Sequence, residues 1–93
     1  MDLLIHLIVQ GQVQGIWFRH NVKEYAQQEN INGTIQNLKN NQQVEIFAQA
    51  PKEKITQLIY WLKKSPGISQ VEDVQILKQE PTKQNHYYSF RIL

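Results

Sequence analysis

Leu3-Leu4-Ile5-His6-Leu7-Ile8-Val9 runs, after one glutamine, into Gly11-Gln12-Val13-Gln14-Gly15-Ile16-Trp17-Phe18-Arg19. The two stretches obey different periods. Leu3, Ile5, Leu7 and Val9 repeat every second residue, which predicts a strand. Leu4 and Ile8 fill the other parity, as in a central strand covered on both faces. Gly11 to Gly15 then reads as a glycine-bounded loop. From Arg19 the spacing lengthens: Phe18, Val22, Tyr25 and Ala26 fall on one side of a helix. The chain thus passes directly from strand to helix through a short glycine-bounded loop.

Working outward, Asn30 suits a left-handed residue closing that helix. Residues 31–38 read as a second strand around Gly33 and Ile35, and Asn40-Asn41 as a turn. Residues 43–49 alternate again, with Val44, Ile46 and Ala48 on one side. Pro51 suits the first turn of a second helix, whose apolar stripe is Ile55, Leu58, Ile59 and Leu62. Lys63 and Lys64 suit its negative C-terminal end, and Pro66-Gly67 ends it. Residues 71–77 read as a fourth strand, 80–85 as a loop, and Tyr88, Phe90 and Ile92 as a short last strand. The order is β-α-β-β-α-β with a short extra C-terminal strand. Right-handed crossovers place both helices on one face of a mainly antiparallel sheet. The expected fold is therefore α+β, a ferredoxin-like α/β sandwich spanning residues 1–93 as a single domain. That fold hosts many functions and selects none.

Composition narrows the field. A length of 93 residues leaves room for one core. Hydrophobic residues at 41% and charged residues at 19% indicate a globular chain, not a disordered one. The absence of cysteine excludes a disulfide scaffold, a thiolate metal site and a thiol nucleophile. The longest apolar run is too short to span a bilayer, and no secretory pattern opens the chain. The expectation is a cytoplasmic protein with no membrane association. Ten Lys and Arg against eight Asp and Glu are nearly balanced and scattered, with only Lys63-Lys64 adjacent. A nucleic-acid partner is not expected.

The strand-to-helix loop carries the chemistry. Ile16, Trp17 and Phe18 precede Arg19, and none can accept a hydrogen bond from the first-turn N–H groups. Losing such a cap costs about 0.5–2 kcal/mol, and an anion would satisfy the same donors. Arg19 adds positive charge to a helix end that is already positive. Its planar fork of donors matches phosphate oxygens, and glycines at 11 and 15 let backbone wrap an oxyanion. Read alone, the same residues also fit a plain turn followed by a surface arginine.

The run Gly11-x-Val13-Gln14-Gly15-Ile16-x-Phe18-Arg19 resembles the signature of the acylphosphatase family. The likeness continues in Ala26, in Gly33 and Asn37 of a second signature, in Trp61, Pro66, Val71 and Val74, and in Tyr88-x-Phe90-x-Ile92. The resemblance implies a metal-free hydrolase that converts small acyl phosphates to a carboxylate and inorganic phosphate, with no cofactor. It implies that Arg19 and Asn37 are catalytic. Arg19 would bind the phosphoryl group together with the backbone N–H groups of Val13, Gln14, Gly15, Ile16, Trp17, Phe18 and Arg19 itself. Asn37 would orient the attacking water. The expected partners are an acyl phosphate and inorganic phosphate, and the expected state is a monomer.

Three positions depart from the family pattern. Thr34 stands where tryptophan is usual. The hairpin from Asn37 to Val44 is one residue longer, with Asn40-Asn41 in place of a glycine-containing turn. Ser65 replaces the usual glycine before Pro66. The first two motivate an alternative: a non-catalytic module on the same fold that binds small anions or acyl phosphates for regulation.

Other candidates have blander readings. His6, His20 and His86 lack metal-ligand spacing. His6 fits a half-buried strand position and His20 an exposed helix position. Glu72 and Asp73 point to opposite faces of a strand and make a poor acid–base pair. Trp61 fits a core role, and Trp17 a packing role or a wall of the acyl pocket.

Overall fold

The computed structural model describes residues 1–15, 17–40 and 42–93. Along the chain come β1 (Asp2–Gln12), α1 (Phe18–Gln28), β2 (Asn32–Asn37), β3 (Gln43–Pro51), α2 (Lys52–Lys63), β4 (Gln70–Thr82) and β5 (Phe90–Ile92). The sheet order is β4-β1-β3-β2-β5. All pairings are antiparallel except that of β2 with β5. This is the expected ferredoxin-like α+β sandwich with its extra C-terminal strand.

Strand parity builds the core. Ile5 pairs with Ala48, Leu7 with Ile46 and Val9 with Val44 across β1 and β3, and all six are buried. Ile35 of β2 lies beside Ile46 in the same layer. Against this face α1 buries Phe18, Val22 and Ala26, each four residues apart, and α2 buries Ile55, Leu58 and Leu62. Each such large apolar side chain contributes about 1.5–3 kcal/mol by leaving water. Tyr25 of α1 stacks on Trp61 of α2 at 4.3 Å, which joins the two helices at the edge of the core.

Helix ends follow their sequence signals. Asn30 takes φ 58. The N–H of Ile31 then returns to the Ala26 carbonyl at 2.8 Å and that of Asn30 to Gln27 at 3.3 Å. These bonds close the last turn of α1 in the left-handed manner, with Ala26 and Ile31 buried together beneath it. In α2, Glu53 in the first turn and Lys63 in the last complement the helix dipole.

Several boundaries differ from the sequence reading. Pro51 ends β3 and is the residue before the helix, with φ −55 and ψ 150, rather than part of its first turn. Gly11 and Gln12 belong to β1, not to the loop. A Cβ on Gly11 would stand 2.0 Å from the Gln70 carbonyl oxygen. This glycine therefore serves the close approach of β4 at a register shift and does not wrap an anion. The fourth strand is longer than residues 71–77 and absorbs Glu80–Thr82. It lies at the sheet edge, where Pro81 is tolerated because only one side of the strand must pair. Tyr88 lies outside β5 and is exposed. The turn expected at Asn40-Asn41 falls partly outside the described residues. Within them, the Asn40 side chain accepts from the Gln42 N–H at 3.2 Å and donates to Gln43 Oε1 at 2.7 Å.

Candidate active site

The segment between β1 and α1 turns sharply, with Gly15 at φ 71 and Trp17 at φ 64, ψ 14. Left-handed backbone costs a non-glycine residue roughly 1–2 kcal/mol. Trp17 is the residue before α1 and supplies no capping side chain. Its carbonyl accepts the first helical bond, from the Asn21 N–H at 2.9 Å. Phe18 and Arg19 open the helix, so their N–H groups have no acceptor one turn back. Among the described residues, the N–H groups of Gln14, Gly15, Trp17, Phe18 and Arg19 meet no acceptor. The Val13 N–H is an exception in the expected cradle, since it donates to the Gly11 carbonyl at 3.0 Å. Ile16 lies outside the described residues.

Of these, every described residue but Gln14 borders a cleft of about 380 Å³. Val13, Gly15 and Phe18 line it along the loop and helix start, and Trp17, Arg19 and His20 line it beside them. Ile92 enters from β5. No acidic residue lies in the first turn of α1, and Arg19 has no carboxylate partner among the described residues. The cleft therefore combines unpaired backbone donors, a helix N-terminus and an uncompensated guanidinium. Each favours a bound anion.

Asn37 ends β2. It is absent from the residues that line the cleft, yet two links bring it to the same end of the molecule. Ile35 pairs with Ile92 across β2 and β5, so Asn37 lies about 6–7 Å further along its strand from that level. The Gln14 side chain also crosses from the loop to the β2–β3 hairpin. Its Nε2 donates to the Leu38 carbonyl at 3.0 Å and to the Gln43 carbonyl at 2.7 Å. The hairpin itself closes through the Leu38 N–H to Gln43 O bond at 3.0 Å. Asn37 Oδ1 is buried and has no hydrogen-bond partner among the described residues. Such an acceptor costs about 1–3 kcal/mol when left unpaired.

The other candidates separate cleanly. His6 sits on the sheet face away from the helices, 2.8 Å from Glu45 and stacked on Phe47 at 4.1 Å. His20 bonds Glu24 one turn on at 3.0 Å. His86 faces the Thr82 hydroxyl at 3.0 Å. Glu72 and Asp73 are exposed. Trp61 packs as expected, but Trp17 does not: it is 75% exposed and its aromatic neighbour is His20. The Gln14 side chain is the participant that sequence reading overlooked. Its partners lie 24 and 29 residues away, and no local pattern announces them.

The family profile described as Acylphosphatase matches residues 5–92. The acylphosphatase of Pyrobaculum arsenaticum is 32% identical over 88 residues, covering 95% of this chain and 90% of that protein. That of Legionella pneumophila is 33% identical over 92 residues, covering 99% and 97%. The crystal structure of acylphosphatase from Bacillus subtilis superposes with a TM-score of 0.88 at 26% identity, covering 98% of each chain. Signature, sheet order and relatives agree across almost the whole length, and the chain belongs to the acylphosphatase family.

Proposed function

We propose that this chain hydrolyses the carboxyl–phosphate bond of small acyl phosphates, releasing a carboxylate and inorganic phosphate without a metal ion. Arg19 and the N–H groups of the loop and first helical turn hold the phosphoryl oxygens: Gln14, Gly15, Ile16, Trp17, Phe18 and Arg19. Val13 joins them only by giving up its bond to the Gly11 carbonyl. Asn37 orients the attacking water through its side-chain amide.

The water oxygen forms a bond to phosphorus while the phosphorus–oxygen bond to the acyl group breaks. The bonding pair leaves on the carboxylate oxygen. A carboxylic acid has a low pKa, near 4, so that oxygen departs as an anion without an enzyme acid. The proton lost by the water passes to a phosphoryl oxygen. The protein's share is positioning and charge stabilisation, the dominant contributions in phosphoryl transfer.

The observation that carries this reading is the uncapped start of α1 beside Arg19, which lines the cleft and has no carboxylate partner among the described residues. The test is hydrolysis of benzoyl phosphate in the presence of EDTA, comparing wild type with Arg19→Ala. Removing one preorganised donor typically costs about 10²–10³ in rate; the arginine supplies charge as well, so a loss of about 10³ or more is expected. Full activity in Arg19→Ala overturns the assignment. Phosphate binding by a folded wild type that turns over no acyl phosphate leaves the regulatory anion-binding module as the function.

A further inference from the structure

Trp17 is costly where it stands. Its backbone is left-handed at φ 64, a conformation that asparagine or glycine adopts more easily. Its indole is 75% exposed, so core packing does not account for it either. The side chain lines the same cleft as Arg19 and meets the His20 ring edge-on, with centroids 5.3 Å apart and planes at 83°. His20 is tethered in turn to Glu24 at 3.0 Å. Ile92, which also lines the cleft, is 38% exposed. The cleft thus offers backbone donors and a guanidinium together with an exposed indole and an isoleucine.

We infer that Trp17 and Ile92 form the binding surface for the acyl group, and that they select acyl phosphates with a planar aromatic or bulky apolar acyl part over acetyl-sized ones. This inference rests on the phosphate-binding reading above. A phosphoryl group held by Arg19 leaves its acyl substituent to point away from the cradle, and of the apolar side chains lining the cleft Val13 and Phe18 are buried whereas Trp17 and Ile92 are exposed. Aromatic faces pair favourably in offset or edge-on geometry. The cleft volume, about 380 Å³, is at the small end of ligand pockets. It suits a phosphoryl group with one ring and not a nucleotide-sized acyl carrier.

The test compares benzoyl phosphate with acetyl phosphate in wild type, Trp17→Phe, Trp17→Ala and Ile92→Ala. Inhibition by inorganic phosphate reports on the cradle separately. Wild type is expected to favour benzoyl phosphate in kcat/KM, and Trp17→Ala to reduce that preference about tenfold through KM. Trp17→Phe should retain most of the preference, and Ile92→Ala should reduce it less than Trp17→Ala. An unchanged preference in Trp17→Ala overturns the inference. So does a rise in both KM values matched by the inhibition constant of phosphate, which would mark Trp17 as a loop residue only. Binding of benzylphosphonate and methylphosphonate by calorimetry needs no turnover. A preference for the benzyl compound that disappears in Trp17→Ala supports the acyl surface even if wild type hydrolyses neither substrate, an outcome that would remove the hydrolytic reading alone. Equal binding of the two phosphonates by wild type overturns the acyl surface.

Discussion

The Gln14 side-chain amide donates to the Leu38 carbonyl at 3.0 Å, so the loop that opens α1 is fastened to the residue directly after Asn37. A second bond from the same nitrogen reaches the Gln43 carbonyl at 2.7 Å on the other arm of the hairpin. One side chain therefore fixes the spacing between the proposed phosphate cradle and the proposed water-orienting asparagine.

Gln14→Ala removes both bonds while leaving the loop backbone intact. Geometry errors of about 1 Å cost around a hundredfold in rate. The expected result is a fall in kcat of about 10- to 100-fold, with the inhibition constant of inorganic phosphate shifted less than about threefold. Steady-state kinetics with phosphate as inhibitor separates the two quantities. Equal losses in kcat and in phosphate affinity would mean that Gln14 supports only the cradle.

Asn37→Ala should separate activity from stability. The substitution removes a buried acceptor that has no partner among the described residues, so the folded state loses an unsatisfied group costing about 1–3 kcal/mol. Thermal unfolding should therefore occur at the same temperature or a few degrees higher. Activity should fall about 10² or more while phosphate still binds. Such a trade of stability for a functional group is common at active sites. A variant that unfolds well below wild type would show that Asn37 is structural.

Much of this architecture was legible because burial imposes strict periods. The alternation of Ile5, Leu7 and Val9 and of Val44, Ile46 and Ala48 marks the two strands that pair through those residues. The step to four-residue spacing at Phe18, Val22 and Ala26 marks the helix. Asn30 announced its left-handed cap because the backbone there excludes most side chains. What escaped was governed by partners distant in sequence. Residues 78–82 look polar and contain a proline, yet β1 pairs with them because an edge strand needs only one bonded side. Gly11 looked like loop because its reason for being glycine is the Gln70 carbonyl, 59 positions later. Trp17 reads as a packing residue or as a wall of the acyl pocket, because hydrophobicity alone does not say which residues a cleft leaves uncovered.

Glu45 should shape stability in acid. Burial raises the pKa of its carboxyl, but hydrogen bonds from Gln36 and His6, together with the charge of His6, outweigh burial and hold it below its ordinary value near 4.5. The Gln36 Nε2 and His6 Nε2 bonds are both 2.8 Å. Because the folded state binds that proton less readily than the unfolded chain, the contribution is complete above the unfolded pKa. It is lost as pH falls through the folded one. Urea midpoints measured from pH 6 to pH 3 should drop more steeply in wild type than in Glu45→Gln. Parallel curves would show that the pair contributes nothing in acid. The residue lies on the sheet face away from α1 and α2, so kcat/KM of Glu45→Gln should stay within about twofold of wild type.

Ser65 offers a test of opposed local forces. It follows α2 with φ 56, a left-handed conformation that favours glycine. Left-handed backbone costs a non-glycine residue about 1–2 kcal/mol. The serine offsets part of this because its hydroxyl accepts from the Val71 N–H at 3.0 Å, joining the helix end to the start of β4. A hydrogen bond of that kind contributes about 0.5–1.5 kcal/mol. Ser65→Gly relieves the strain and loses the bond, and the two changes nearly cancel, leaving stability within about 1 kcal/mol of wild type. Ser65→Ala keeps the strain and loses the bond, so it should be the less stable variant by roughly 1 kcal/mol, a difference of several degrees in Tm for a domain of this size. If alanine and glycine variants melt together, the left-handed conformation at Ser65 does not persist in solution.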